Sequence, residues 1–287
     1  MRLDNFFEAT HGGIEQEYKL HQLDTEKRET WNYFIRAYQA KLKVGISKFR
    51  QGQWIWRGDS GFRHDAVMIT PGQRKSQNTA NFYTQWMSFH PSWRAFPQRN
   101  QSFICSTNKH TAENFGYKSV YLMIPLDMTT RIGICGDDDL WDSWRATWFS
   151  DQVLSLGRCF RKIGFADTNW QRFKQETSNV SIAGTIKLYA KADGSKPETC
   201  HLKDVFETLG KGEAFNIDEP LYNYLERVYD PTKGGFKVLP YSEYTFGRFN
   251  SQEVWFSSPA LALKEGSPFF DYITKEWKGV PLVGEDE

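Results

Sequence analysis

The sequence predicts a mixed α+β protein, with one long helix near its start and short strands spread along the chain. Residues 24–50 carry apolar side chains at the three- and four-residue spacing of an amphipathic helix. Short aromatic and β-branched runs at 53–58, 102–108, 118–125 and 253–256 are instead typical of strands. No internal repeat is visible in the sequence.

Composition indicates a folded chain without an overall charge preference. The 287 residues are 39% hydrophobic and 16% aromatic, which is enough to build a sizeable core. A formal net charge of +1 creates no global field that would attract nucleic acid or a membrane, so any polyanion site must be a local patch. No stretch is apolar for long enough to act as a signal peptide or a membrane span. We therefore expect a cytoplasmic protein with no membrane partner.

The cysteines and histidines do not suggest a metal site. Cys105, Cys135, Cys159 and Cys200 are widely spaced, and no two of them have the spacing of zinc ligands. The six histidines are equally scattered. We expect reduced cysteines in the core and no bound metal.

The remaining segments are predicted to be partly irregular and partly helical. Residues 71–100 are rich in Gln, Asn, Pro and Arg and are predicted to be irregular, whereas 111–115 form a short helix that ends at Gly116. Between 127 and 235 the pattern becomes helical. Helices are predicted there at 141–149, 153–163 and 221–229.

Two of the predicted strands end in polar residues on which a site could be built. Arg57 ends a strand beside Gly58, where a guanidinium can hold a phosphate and the glycine lets the backbone approach closely. A structural ion pair is the alternative role for Arg57. Ser106, Thr107 and Asn108 lie at a strand-to-helix junction, where they could bind a ribose or cap the helix that follows.

Phe115 and Glu253 complete this set of candidate residues. Phe115 could stack on a planar ring or serve as a core aromatic. Glu253 begins an apolar strand and can face a cleft from there, although a lone glutamate at a strand edge is ordinarily solvated. The functional interpretation therefore depends on the order of these residues along the chain and not on any one of them.

In this order the segments resemble the ADP-ribosyltransferases of the arginine, serine-threonine-serine, glutamate type. The similarity lies in Trp56-Arg57-Gly58, in the stretch from Ser102 to Pro125 that contains Ser106-Thr107, and in Glu253-Val254-Trp255. The resemblance implies an α+β split β-sandwich that forms an NAD⁺ cleft.

The predicted helices and the resemblance together indicate a domain organisation. Residues 1–50 would be an N-terminal helical segment, and residues 51–287 would be the catalytic domain. A helical insertion at about 127–235 would account for the long separation between Asn108 and Glu253.

The resemblance also implies NAD⁺ as the substrate and a role for each residue. Arg57, with Gly58, would contact the NAD⁺ phosphates, and Ser106 would orient the catalytic Glu253. Glu253 would bind the 2′-hydroxyl of the nicotinamide ribose and stabilise the cation that forms as nicotinamide leaves. Thr107 and Asn108 would complete the NAD⁺ site, and Phe115 would line the nicotinamide pocket.

Two departures from the family pattern bear on the site and its acceptor. Asn108 stands where the family has a serine, and an amide can make similar hydrogen bonds. Ser251 lies two residues before Glu253, where arginine-modifying members have a second glutamate that positions the acceptor guanidinium. Arginine is therefore disfavoured as the acceptor, and a base of RNA or DNA is favoured.

Residues that precede Glu253 are the candidates for binding the acceptor. They are Tyr244, Phe249, Ser251 and Gln252. The aromatic residues would suit a stacked base, and they would equally suit the core. The basic residues of the helix up to Arg50 allow the same two readings, nucleic-acid contact or an ordinary solvated face.

The expected function is intracellular mono-ADP-ribosylation by an enzyme similar to bacterial or phage toxins or antiviral-defence effectors. Its partners would be NAD⁺, a macromolecular acceptor and a neutralising antitoxin. Three alternatives stay open: a protein ADP-ribosyltransferase, an NAD⁺ glycohydrolase with water as acceptor, and a catalytically silent binding protein of the same fold. If Glu253 is not the catalytic glutamate, Glu243 is the next candidate.

Overall fold

Helices and strands are interspersed along the chain, as expected for an α+β protein. The structure is a computed structural model. It describes residues 28–59, 64–73, 82–116, 119–137, 140, 143, 170–181, 185–187, 199–201, 216, 218–245 and 251–279. These residues fall into two compact units. One unit contains the described residues of 82–100 and 134–237, and the other contains those of 28–73, 101–133 and 238–279.

Most of the described strands form one large sheet. The strands are β1 (Trp56–Gly58), β2 (Ala66–Ile69), β3 (Phe103–Ser106), β4 (Val120–Pro125), β5 (Arg131–Ile134), β6 (Thr185–Lys187), β7 (Thr199–His201), β8 (Lys237–Pro240), β9 (Glu253–Phe256) and β10 (Ala260–Lys264). Eight of them pair in the order β2-β10-β4-β1-β3-β9-β5-β8, and β6 pairs with β7 separately. The five pairings from β2 to β9 are all antiparallel.

A single residue pair joins two halves of the large sheet. β1 pairs with β4 at three positions but with β3 only where Trp56 lies opposite Ser106. β3 in turn pairs with β9 at four positions. The sheet therefore consists of one four-stranded half that ends at β1 and another that begins at β3. Strands β1 and β3 separate beyond Trp56.

The helices are distributed between the two units. They are α1 (Arg28–Arg50), α2 (Phe82–Phe89), α3 (Lys109–Gly116), α4 (Trp170–Ser178), α5 (Leu221–Val228) and α6 (Pro268–Asp271). Short 3-10 turns occupy Pro91–Trp93 and Arg99–Gln101, and a π-helical turn, Tyr272–Glu276, follows α6.

The long helix α1 packs on the large sheet through the apolar face that the sequence predicts. Its residues Phe34, Leu42 and Ile46 are almost fully buried. Gly45 permits this close approach, because a Cβ atom at that position would lie 2.5 Å from Cδ1 of Ile124 on β4. The predicted helix is therefore confirmed over the described part of 24–50.

The unit that contains residues 82–100 has a cluster of aromatic side chains around Trp86 of α2 and is called the aromatic unit. The indole of Trp86 stacks on His90, with ring centroids 4.3 Å apart and planes 8° apart. It also meets Trp170, Tyr222 and Tyr229 at centroid distances between 5.3 and 5.8 Å. Aromatic pairs of this kind add about 0.5–1.5 kcal/mol each beyond the burial of their area.

Two sequence predictions, for residues 71–100 and for residues 127–235, are wrong in part. Residues 71–100 are not wholly irregular, because α2 spans Phe82–Phe89 and buries Trp86 and Met87. The polar composition of the surrounding segment obscures this short apolar helix. The region 127–235 also contains strands, namely β5, β6 and β7. Such strands are only three or four residues long, which is too short for a clear periodic signal.

Other predicted elements are found where expected. The predicted strands at 53–58, 102–108, 118–125 and 253–256 correspond to β1, β3, β4 and β9. The predicted helix at 221–229 is confirmed as α5. The predicted helices at 141–149 and 153–163 lie outside the described residues, apart from Ser143.

Candidate functional site

The candidate site lies on three adjacent strands, which bring together residues far apart in the sequence. In the order β1-β3-β9, Trp56 lies opposite Ser106, and Ser106 lies opposite Glu253. Arg57 follows Trp56 directly. The fold therefore places the predicted arginine, serine and glutamate within two strand spacings of one another.

Ser106 and Glu253 are neighbours on one face of the sheet. Residues directly opposite each other in an antiparallel pair have Cβ atoms about 4.5–5.5 Å apart and project to the same side. Ser106 is completely buried, and Glu253 is 6% exposed. The hydroxyl oxygen of Ser106 accepts a hydrogen bond from the backbone N–H of Asn108 at 3.0 Å. Glu253 therefore begins β9 with its side chain on the same face of the sheet as the Ser106 hydroxyl.

Thr107 holds the backbone that precedes Glu253. Its N–H donates to the carbonyl of Gln252 at 2.9 Å, and its hydroxyl oxygen accepts from the N–H of Gln252 at 2.8 Å. The carbonyl of Thr107 accepts from Nε1 of Trp54 at 2.5 Å. The backbone N–H and carbonyl of Thr107 therefore both have partners. Because the Thr107 hydroxyl also accepts from the N–H of Gln252, the threonine side chain helps to position the start of β9.

Arg57 is a buried cation with protein partners. One Nη atom lies 3.3 Å from the Asp59 carboxylate, and the other donates to the carbonyl of Ile104 at 3.2 Å. The guanidinium also lies over the ring of Phe103, 5.4 Å from its centroid. The ion pair that the sequence left open as an alternative for Arg57 is therefore present.

The side chains of Arg57 and Glu253 leave the sheet on opposite faces. Successive residues of a strand alternate between faces, so Arg57 projects away from the side shared by Trp56, Ser106 and Glu253. Its stacking on Phe103, three residues from Ser106, agrees with this assignment. The guanidinium occupies the space where β1 and β3 part, since it reaches the backbone of Ile104.

Asn108 caps the helix that follows β3. Its side-chain oxygen accepts from the N–H groups of His110 at 2.8 Å and Thr111 at 3.3 Å. The capping role that the sequence allowed is thus observed. Gly58, the last residue of β1, is half-buried. Phe115 lies on α3, and its side chain is outside the described part of the structure.

The predicted acceptor-binding residues lie in different environments. Ser251 and Gln252 are half-buried, and the hydroxyl of Ser251 is 3.2 Å from that of Thr111. Tyr244 is 1% exposed, and burial raises the pKa of its phenol well above the usual value. Its ring is therefore a core ring, the alternative that the sequence left open, and contact with an acceptor base would require the core to open. Phe249 lies outside the described residues.

Sequence reasoning missed Lys48 and Asp59. Lys48, on α1, is buried and donates from Nζ to the carbonyls of Ser242 at 3.2 Å and Tyr244 at 2.9 Å. Burial lowers the pKa of its amine. The only available signal for Asp59 was its position two residues after Arg57, which places both side chains on one side of an extended segment.

The described residues contain neither a cluster of metal ligands nor a membrane-spanning helix. No group of three or more His, Cys, Asp or Glu side chains in this part of the chain could hold a metal ion. No helix within the same residues is long and apolar enough to cross a membrane.

Comparisons with protein-family models, curated proteins and solved structures each find no match for this chain. The function must therefore be argued from the arrangement of the side chains themselves.

Proposed function

We propose that this chain cleaves NAD⁺ at its nicotinamide glycosidic bond and transfers the ADP-ribose to a macromolecular acceptor. The observation that carries the proposal is the buried Glu253 carboxyl directly opposite Ser106 on the neighbouring strand. A fixed carboxylate stabilises the oxocarbenium charge that develops as a glycosidic bond breaks. The Ser106 hydroxyl would orient that carboxylate.

The division of the sheet supports the same proposal. The two four-stranded halves, joined only at Trp56 and Ser106, would be the two parts of the split β-sandwich expected for an ADP-ribosyltransferase. NAD⁺ would enter where β1 and β3 part, close to the single pair that joins the halves. Both Ser106 and the start of β9 lie at this position.

Arg57 would bind the NAD⁺ pyrophosphate by exchanging partners. Its guanidinium already lies between β1 and β3, held by Asp59 and the Ile104 carbonyl. A phosphate would replace one of these acceptors, as a bidentate guanidinium contact allows. Because Arg57 and Glu253 project from opposite faces, NAD⁺ would have to pass through the opening between the two strands to contact both.

The proposed acceptor is a base of RNA or DNA. Ser251 occupies the position from which a second carboxylate would activate an arginine, and its hydroxyl contacts Thr111. A hydroxyl at that position carries no charge to attract a guanidinium, whereas it can donate to or accept from a base edge.

Nicotinamide release and label transfer from NAD⁺ test the proposal. The purified protein is incubated with labelled NAD⁺ and cell extract, beside Glu253→Gln and the control Glu276→Gln, which changes an exposed glutamate. Glu253→Gln should lower nicotinamide release by about a hundredfold or more, whereas Glu276→Gln should match the wild type. Label in a nuclease-sensitive fraction would identify a nucleic acid as acceptor, and label in a protease-sensitive fraction would identify a protein.

Other outcomes separate the alternatives. Nicotinamide release without labelled macromolecule would make the protein a glycohydrolase. Full activity in Glu253→Gln would show that this residue is not the catalytic glutamate, and Glu243→Gln would be measured next. No nicotinamide release by the wild-type chain would reject an NAD⁺-cleaving enzyme in favour of a binding protein.

A further inference from the structure

A cationic pocket lies between the last two turns of α1 and the segment that follows the π-helical turn. Its volume is about 280 Å³. Lys43, Ser47 and Arg50 line it from α1, and Trp277, Lys278 and Gly279 line it from the other side. No carboxylate is found among the described residues that line it. Its lining therefore carries three formal positive charges.

Arg50 is the rigid member of this lining. Nε donates to the carbonyl of Thr274 at 3.1 Å, and one Nη atom donates to the carbonyl of Trp277 at 2.8 Å. The same Nη atom is 3.5 Å from the carbonyl of Ile273. The described structure assigns no acceptor to the second Nη atom, Nη1. A guanidinium anchored in this way loses little further side-chain entropy when it binds an anion.

Lys43 and Lys278 supply the flexible charges. Both are exposed, and neither makes an ion pair within the part of the chain that the structure describes. The Lys43 stem runs along Gly279, where a Cβ atom would lie 3.0 Å from Cε of the lysine. Gly279 has a φ of 89° and its carbonyl accepts from Gln39 at 3.0 Å, which fixes this wall of the pocket.

The chemistry of this lining matches a phosphate group. Cations that converge in a concave site reinforce one another's field and attract an anion more strongly than the same cations on a flat surface. A guanidinium with free N–H groups, a serine hydroxyl and two ammonium groups supply the donors that phosphate oxygens accept. The absence of a described carboxylate in the lining means that no internal anion competes for them.

We propose that the pocket lined by Lys43, Arg50 and Lys278 binds the phosphate group of a phosphate ester. Two sources share this chemistry, a free nucleotide and the backbone of a nucleic acid. The proposal does not depend on NAD⁺ cleavage, because none of these three residues belongs to the site on β1, β3 and β9.

Binding measurements on one double variant test this proposal. Lys43→Gln combined with Lys278→Gln removes two charges from the pocket, and Arg36→Gln combined with Lys237→Gln removes two exposed charges elsewhere. The probes are inorganic phosphate, followed by calorimetry, and a fluorescein-labelled single-stranded RNA, followed by anisotropy at several salt concentrations. Thermal unfolding verifies that both variants fold.

The pocket variant should bind at least one probe about tenfold more weakly than the control variant. If the source is a nucleic acid, the slope of log affinity against log salt should also fall by about 1.4, since each lost contact to a single strand removes about 0.7. Weakened binding of phosphate without any RNA binding would exclude a nucleic-acid backbone and leave a free nucleotide as the source. Equal affinities of the pocket and control variants for both probes, or no binding of either probe to the wild type, would overturn the proposal.

Discussion

Thr107 and Gln252 exchange two hydrogen bonds where β3 ends and β9 begins, with distances of 2.9 and 2.8 Å. One of these bonds uses the Thr107 hydroxyl, so a side chain at the end of one strand sets the backbone that leads into Glu253. A residue that appeared from the sequence to be a ligand contact thus has a positioning role in the structure.

Thr107→Val should weaken the start of β9. Valine keeps the shape of threonine but removes the hydroxyl that accepts from the N–H of the half-buried Gln252, a hydrogen bond that contributes about 0.5–1.5 kcal/mol to the unfolding free energy. Urea denaturation measures this loss. Thr111→Val is the matched control, because the one partner that the described residues offer its hydroxyl is another hydroxyl, that of Ser251, and it should cost less than about 0.5 kcal/mol. Equal losses in the two variants would contradict the positioning role.

Asp59→Asn should destabilise the protein by about 2–4 kcal/mol, because it leaves the buried Arg57 cation facing a neutral amide. Asp271→Asn provides the comparison. It removes an exposed ion pair with Lys275 within one helical turn and should cost less than about 0.5 kcal/mol. Chemical unfolding of both variants would be measured side by side. A small effect of Asp59→Asn would mean that the ion pair contributes little to holding Arg57.

Gly133→Ala should be strongly destabilising. A Cβ atom at this position on β5 would overlap the indole ring of Trp255 on β9, which is completely buried. Overpacking of this kind costs about 1–3 kcal/mol. Gly266→Ala isolates the contribution of backbone strain, since Gly266 has a φ of 75° and no atom within 4 Å of its would-be Cβ. Thermal unfolding should show a lower melting temperature for Gly133→Ala than for Gly266→Ala.

The stability of the aromatic unit should fall as the pH drops below about 6.5, the ordinary pKa of histidine. Burial lowers the pKa of His90, and Lys174 lowers it further, while the carboxylates of Glu226 and Asp230 oppose this shift without cancelling it. The unfolded chain therefore takes up a proton near pH 6.5 that the folded chain does not, and the free energy of unfolding decreases with falling pH.

His90→Asn tests this pH dependence. Asparagine can still cap the turn at Pro91–Trp93, which His90 caps through the N–H of Ser92. Urea unfolding at about pH 7.5 and about pH 5.5 should show a smaller loss of stability in the variant than in the wild type. The same loss in both proteins would assign the pH dependence to other groups.

Long or strongly patterned elements could be predicted from the sequence. The spacing of Phe34, Leu42 and Ile46 predicts α1, and the alternation of Val120, Leu122 and Ile124 predicts β4. β10 was missed because its alanines and leucines favour a helix in isolation. It is a strand because it lies between β2 and β4, where pairing on both sides and burial outweigh local preference.

The structure around the candidate site could likewise be predicted only in part from the sequence. The sequence predicted strands at 53–58, 102–108 and 253–256 that carry Arg57, Ser106 and Glu253, and strands that contain these residues are found as β1, β3 and β9. It could not predict that Arg57 pairs with Asp59 or that Tyr244 is buried. The burial of Arg57 and Tyr244 depends on which distant segments pack against each residue.

By itself, the sequence determined the chemical identity and order of the site residues and the local structure that carries each of them, because hydrophobic periodicity and turn residues act over a few positions. Only the tertiary structure decided that Ser106 faces Glu253 and that Arg57 projects from the other side of the sheet. Strand register has a period of two residues, so a shift by one position moves a side chain to the opposite face. That register is set by packing across more than a hundred residues of chain, which local patterns do not encode.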